Sequence, residues 1–129
     1  MANVDKSLRT PLGRARNHGS ARVGTEETWR QRVTAAALVP LTIAFVWLVL
    51  SLLHKDYNGV RAELSHPIPA IVLLLFVLVG VYHMQIGMRS IILDYVHGRA
   101  REWVLMANIF IAAALGVACA YAVAILSFV

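Results

Sequence analysis

Three stretches of this chain run the thickness of a lipid bilayer without an Asp, Glu, Lys or Arg: Val33 to Leu53, Ile68 to Met88, and Val104 to Val129. A hydrocarbon core of about 30 Å takes about 20 helical residues at about 1.5 Å rise each, and every stretch reaches that length. In lipid a backbone amide must bond within its own helix or across a closed barrel. Barrel strands would read as roughly ten-residue segments of alternating polarity, and these stretches do not alternate. The sequence therefore predicts an all-α membrane protein with three transmembrane helices, about 33–53, 68–95 and 104–128. They form one anchor domain, 33–129, behind a polar, basic tail, 1–32.

With 59% apolar and 15% charged residues in 129, the chain has room for three spans and little else, so no separate soluble catalytic domain is expected. A formal charge of +5 would suggest nucleic acid in a soluble protein, but its distribution assigns it to topology instead. Seven of the twelve Lys and Arg precede the first span, and Arg89, Arg99 and Arg101 surround the second connection. Lys55 and Arg61 are alone in the first connection, and none follows the third span. By the positive-inside rule the N-terminus and second loop face the cytoplasm or matrix, and the 54–67 loop and C-terminus face the other side. A multi-pass protein of a bacterial cytoplasmic (inner) membrane, or equally of a mitochondrial inner membrane, is the expectation.

The first thirty or so residues lack the apolar core of a cleavable signal peptide, so the tail is expected to be retained, disordered or peripherally docked. Thr25-Glu26-Glu27 offers a helix start that runs through Trp29 into the first span. Trp29 and Trp103 suit interfacial anchoring. Pro40 falls inside the first span, and Pro67 and Pro69 mark the start of the second. The single cysteine, Cys119, excludes an internal disulfide, a CxxCH haem attachment and a cysteine-ligated iron-sulfur cluster. It reads as a small buried apolar residue.

His83 sits deep in the second span, where a titratable ring is costly unless paired, hydrated or ligating. One reading is a packing histidine hydrogen-bonded across a helix interface; the other is ligation or proton transfer. On the same helical face lie Gly80 and Gly87, whose missing side chains would open a flat recess suited to a planar macrocycle, or would allow close helix packing. Ser90 and Asp94 continue that face toward the inner end, with Asp94 about 16 Å along the axis. This stripe could carry protons, order water or meet a polar head group. It could equally be the bundle-facing side near the interface.

His18, His54, His66 and His97 all lie at other depths. If His83 binds haem iron, a second axial histidine must come from a partner polypeptide. Ala112, Gly116, Ala120 and Ala124, at every fourth position of the third span, would let another helix approach closely.

The run His83-x3-Gly87-Met88-x5-Asp94-Tyr95-Val96 strongly resembles the second-helix signature of the hydrophobic membrane anchor subunit of succinate dehydrogenase, respiratory complex II. Gly24-x7-Arg32-x-Thr34-Ala35 adds a weaker likeness, and Trp29-Arg30-Gln31-Arg32 looks like the alphaproteobacterial branch. The resemblance covers roughly Gly24 to the chain end. It implies that His83 is an axial ligand of haem b, shared with a histidine of the companion anchor subunit. It also implies that Tyr95 hydrogen-bonds a ubiquinone carbonyl, with Asp94 the neighbouring acid of that site. Arg32 then lies near the haem propionates, which guanidinium binds bidentately. Where the family has a histidine or acid a few residues before this arginine, this chain has Glu26 and Glu27.

The function implied is electron delivery rather than catalysis by this chain alone. A flavoprotein subunit would oxidise succinate, an iron-sulfur subunit would pass electrons to the membrane surface, and the two anchors would hold ubiquinone on the inner side. Two axial histidines leave the haem no open position for oxygen, which suits electron transfer. Two alternatives stand beside this: a haem-free proton or ion channel subunit using His83, Ser90 and Asp94, and a purely structural anchor.

Overall fold

The structure, a computed structural model, describes residues 23–128. Among these residues the chain is a series of helices with no strand: α1 (Val23–Leu52), α2 (Tyr57–Leu64), α3 (Pro67–Tyr95) and α4 (Arg99–Phe128). The three long helices are each apolar and long enough to cross a membrane. Residues 1–22, including His18, lie outside the described residues, and so do the expectations placed on them. The described part of the tail is helical, because α1 is already under way at Val23 and runs through Trp29 without a break. Pro40 sits inside α1, a position membrane helices tolerate when neighbouring groups re-satisfy the freed carbonyl.

Hydrocarbon acts as the solvent for most side chains here. Trp47 is 77% exposed and Phe110 72%, values that would be costly in water for surfaces this continuous. Burial is confined to the lines where helices touch. The buried apolar residues are Leu48, Leu64, Ile86, Ile92, Ala112 and Val123.

α3 packs against both α1 and α4 and is the central helix of the three. Along the α1–α3 line, Glu27 meets Arg89, Gln31 faces Gly87, Thr34 meets His83, Leu38 faces Gly80 and Phe45 stacks on Phe76. The α1 positions are spaced by 4, 3, 4 and 7, the heptad spacing that keeps one stripe of a helix on its neighbour. The numbers rise on one helix as they fall on the other, so the pair is antiparallel. The Phe45 and Phe76 rings are nearly parallel, with centroids 4.3 Å apart.

On the opposite side of α3, Asn108 donates from Nδ2 to the Gln85 carbonyl at 3.0 Å. A Cβ at Gly116 would stand 3.6 Å from Val81 Cγ1, and Ala112 is buried. Half of the small-residue stripe of the third span is therefore filled by the chain's own α3, not held open for a partner. Ala124 remains exposed and Ala120 half-exposed. Small residues report that some helix comes close, and carry no information about which.

The 54–67 connection is more ordered than its sequence suggests. Asp56 caps α2 by accepting from Gly59 N–H at 3.0 Å, and Lys55 pairs with Glu63 at 2.8 Å. Leu64 is buried where α2 rests on α3 and α4. At the other end, Val96 is extended and Gly98 takes φ 70, the left-handed conformation that only glycine adopts without steric cost. That turn lets α4 start at once and antiparallel to α3.

Candidate functional site

The α1–α3 line divides into two halves of different chemistry. From Leu38 toward the Leu52 end it is apolar. From Thr34 toward Val23 it is polar, and His83 stands at the boundary. Arg89 Nε lies 2.9 Å from Glu27 Oε1, close enough for an ion pair but without the alignment of a hydrogen bond. Gln31 follows one turn deeper, its Nε2 3.6 Å from where a Cβ on Gly87 would be. Thr34 then meets His83 at 2.9 Å between Oγ1 and Nδ1.

The proton positions at this last contact follow from the hydrogen-bond network. Thr34 Oγ1 is also 2.9 Å from the Arg30 carbonyl and 3.1 Å from that of Gln31. Two oxygens that close repel unless a proton lies between them, and a hydroxyl has one proton to give. It therefore points back at the α1 carbonyls, shared between them as a three-centre bond. His83 Nδ1 must then supply the hydrogen to Thr34 Oγ1. In the neutral ring this leaves Nε2 as the bare nitrogen, carrying the lone pair. Among the described residues nothing hydrogen-bonds to Nε2.

The glycines flanking His83 are not required by the helix packing. A Cβ at Gly80 would meet only Leu38 Cδ2, at 3.9 Å, and one at Gly87 only the Gln31 amide, at 3.6 Å. Both are ordinary van der Waals distances, so alanine would fit at either. Glycine inside a helix costs roughly 0.5–1 kcal/mol relative to alanine. Glycine at these two positions is thus not forced by contact with α1, whose Leu38 and Gln31 side chains lie against them, and the two flank a histidine whose outer nitrogen is unpartnered.

The other expected site residues are spread around this point. Arg32 is exposed and, two residues from Thr34, lies about 200° around α1 from the α3 contact. It is at the depth of His83 but on the far side of α1. Arg30 is paired with Glu26 and Arg89 with Glu27, whereas Arg32 has no carboxylate partner among the described residues. Tyr95 ends α3, is 80% exposed, and lies about 18 Å along the axis from His83. Asp94 is exposed beside it. His83 and Tyr95 therefore belong to two separate places on one helix.

The polar stripe expected along α3 is interrupted. Ser90 Oγ donates to the Ile86 carbonyl of its own helix at 3.3 Å. The polar groups nearest His83 are instead Thr34 and Gln31 from α1, followed by the Glu27–Arg89 pair. Sequence reasoning missed this ladder, although Glu27, Gln31 and Thr34 at i, i+4 and i+7 already share one face. The remaining histidines are remote: His66 and His97 flank α3 at its two ends, about 25 Å and 21 Å along the axis from His83. Among the described residues, no three His, Cys, Asp or Glu converge as a metal site would need. Among the described residues, none stands with His83 to complete a metal site.

Comparison with known proteins gives the family. Residues 6–124 match the family model described as succinate dehydrogenase/fumarate reductase transmembrane subunit. The chain is 34% identical over 115 residues to the succinate dehydrogenase hydrophobic membrane anchor subunit of Paracoccus denitrificans, covering 89% of each chain. It is 35% identical over 89 residues to the protein of that name from Rickettsia bellii, covering 69% of this chain and 71% of the relative. The figure for Rickettsia conorii is 31% over 90 residues, with the same coverage. No solved structure gives a significant match.

Proposed function

The chain belongs to the succinate dehydrogenase/fumarate reductase transmembrane subunit family, and from that premise we propose that it joins a companion anchor in holding haem b and ubiquinone. Its place as a multi-pass inner-membrane anchor follows from the family and the three apolar helices. The finer reading has His83 as one axial ligand and a histidine of the companion anchor as the other. An iron-sulfur protein and a flavoprotein then dock on the inner side.

One observation carries this reading: an intramembrane imidazole whose Nδ1 is held by Thr34 while its Nε2 has no partner among the described residues. A histidine retained only for packing would be expected to use both nitrogens, because an unsatisfied polar atom in a low-dielectric setting is expensive. Gly80 and Gly87 keep side chains off α3 one turn to either side of His83, which would suit a flat group beside that ring. Arg32, uncompensated at the same depth, fits an anionic carboxylate reaching past α1. When bound, haem would supply one-electron redox chemistry. This chain's residues hold and orient, and no group in it performs the oxidation of succinate.

Tyr95 supports quinone binding by position. It ends α3 at the interface with its phenol open to the bilayer, where a hydroxyl can donate to a quinone oxygen and Asp94 can exchange protons with water. In this reading the N-terminus and Gly98 are inside, and α2 is outside.

The test is a reduced-minus-oxidised spectrum of the purified complex carrying His83→Leu. A lost or altered b-type haem signal, with the anchors still assembled, is expected. An unchanged spectrum and occupancy would sink the ligand assignment.

A further inference from the structure

The contact between Thr34 and His83 joins residues 49 positions apart, and it does more than close the packing of two helices. We propose that Thr34 is a positioning residue for the ligand proposed above: its hydroxyl selects the His83 tautomer that leaves Nε2 free, and fixes and strengthens that nitrogen as a donor to a metal. The inference rests on the haem-ligand reading.

The argument starts from what Thr34 is able to accept. Its single proton is committed to the Arg30 and Gln31 carbonyls, 2.9 and 3.1 Å away. The oxygen can only accept from the ring, and so Nδ1 must be the protonated nitrogen. With the proton on Nε2 instead, the hydroxyl would have to turn its own proton to Nδ1 and leave both carbonyl contacts, at 2.9 and 3.1 Å, without a hydrogen between the oxygens. A metal-binding histidine needs its second nitrogen engaged in this way to fix ring orientation and tautomer, and partial withdrawal of the Nδ1 proton makes the ligating nitrogen a stronger donor. The anchor for this acceptor is unusually firm. Thr is χ1-restricted by its β-branch, and its hydroxyl is tied to two carbonyls of its own helix, so Oγ1 is pinned in the α1 frame.

The geometry also separates this role from a hydrophobic one. Valine has the same shape as threonine and would fill the same space, but would leave Nδ1–H with no acceptor. Serine keeps the hydroxyl and loses a methyl. A packing role predicts that valine is the milder change; a positioning role predicts that serine is.

The experiment uses the complete membrane complex with its companion subunits, carrying Thr34→Val, Thr34→Ser or His83→Leu. Haem retention is read as the rate of transfer to apomyoglobin, and the haem midpoint potential by optical titration. Thr34→Val should weaken haem retention about 10- to 100-fold, the usual loss when the outer partner of a ligating histidine is removed. It should also raise the potential, since a weaker donor favours the ferrous state. Thr34→Ser should stay near the parent in both. If Thr34→Val does not assemble, Thr34→Ala carries the same expectations; if neither assembles while Thr34→Ser does, Thr34 serves assembly and the proposal falls. Parent-like retention and potential in Thr34→Val, with haem lost in His83→Leu, overturns the role of Thr34 and spares the ligand reading. Equal damage in the Val and Ser variants also overturns it, because the hydroxyl is then not the cause. An unchanged haem in His83→Leu removes the ligand reading, and this inference with it.

Discussion

His83 Nδ1 and Thr34 Oγ1 are hydrogen-bonded at 2.9 Å, and this bond sits where the α1–α3 contact changes from polar to apolar. Its energetic weight exceeds that of a surface hydrogen bond. Either atom left alone in this setting would keep its desolvation cost, about 1–3 kcal/mol. The pair thereby makes a titratable ring tolerable in a hydrocarbon-spanning helix while leaving one of its nitrogens for other use.

Tyr95→Phe isolates the phenol oxygen from the ring. Interfacial anchoring needs only the aromatic ring, so the fold and assembly should hold. Succinate-dependent quinone reduction should fall, while succinate oxidation with a soluble artificial acceptor stays normal. The loss should correspond to one hydrogen bond, about 0.5–1.5 kcal/mol, and more if the quinone oxygen gains charge during reduction. Normal quinone kinetics in the variant would make Tyr95 an anchor only.

Gly80→Ala and Gly87→Ala should leave the thermal stability of the assembled complex nearly unchanged, because each new methyl meets α1 at ordinary contact distance. Haem content should nevertheless drop if the recess beside His83 admits the macrocycle. Gly116→Leu should behave in the opposite way. Its added atoms push beyond the 3.6 Å contact with Val81, and overpacking of the α3–α4 contact should cost about 1–3 kcal/mol. Haem content scaling with melting temperature across all three variants would refute the distinction.

Membrane orientation can be read by cysteine labelling in a Cys119→Ala background. Ser65 and His97 are both exposed, at opposite ends of α3. With the basic clusters inside, Ser65→Cys should react with an impermeant reagent in intact cells, and His97→Cys only in inverted vesicles. The reverse pattern would invert the topology.

Acid should loosen the cap of α2. Lys55 donates to Glu63 at 2.8 Å and holds its carboxyl below the ordinary glutamate range, through that hydrogen bond first and the ammonium charge second. The folded value is depressed, so the pair contributes above the unfolded glutamate value and its contribution disappears as pH falls through the folded one. Backbone amide exchange across 57–64 should quicken in that window, and Lys55→Gln should abolish the pH dependence.

The three spans were legible because exclusion of charge over 20 residues is a constraint of the solvent, independent of any partner helix. His83 was legible for the same reason: a polar ring stands out where water is absent. α2 was not, since Tyr57–Leu64 is short and polar and gains its order from the Asp56 cap and from Leu64 packing on other helices. Nor was the tautomer of His83, which is decided by a threonine 49 residues away. The small-residue stripe of the third span signals close approach, but which helix fills the space at Ala112 and Gly116 depends on tertiary docking. Arg89 was counted with the loop cations, and only the position of α1 reveals its pairing with Glu27.

Two polar contacts on one helix face fix its sliding coordinate as a vernier fixes a scale. An apolar seam between helices in lipid can shift at small cost, since neighbouring notches look alike. Here Glu27 must reach Arg89 while Thr34 reaches His83, and the seven-residue step from Glu27 to Thr34 measures about 10 Å. Inserting or deleting one residue within that interval moves one mark by about 1.5 Å and about 100°, so α1 would satisfy one contact and forfeit the other. Errors of alignment are thereby converted from a graded loss into a choice between two incompatible dockings.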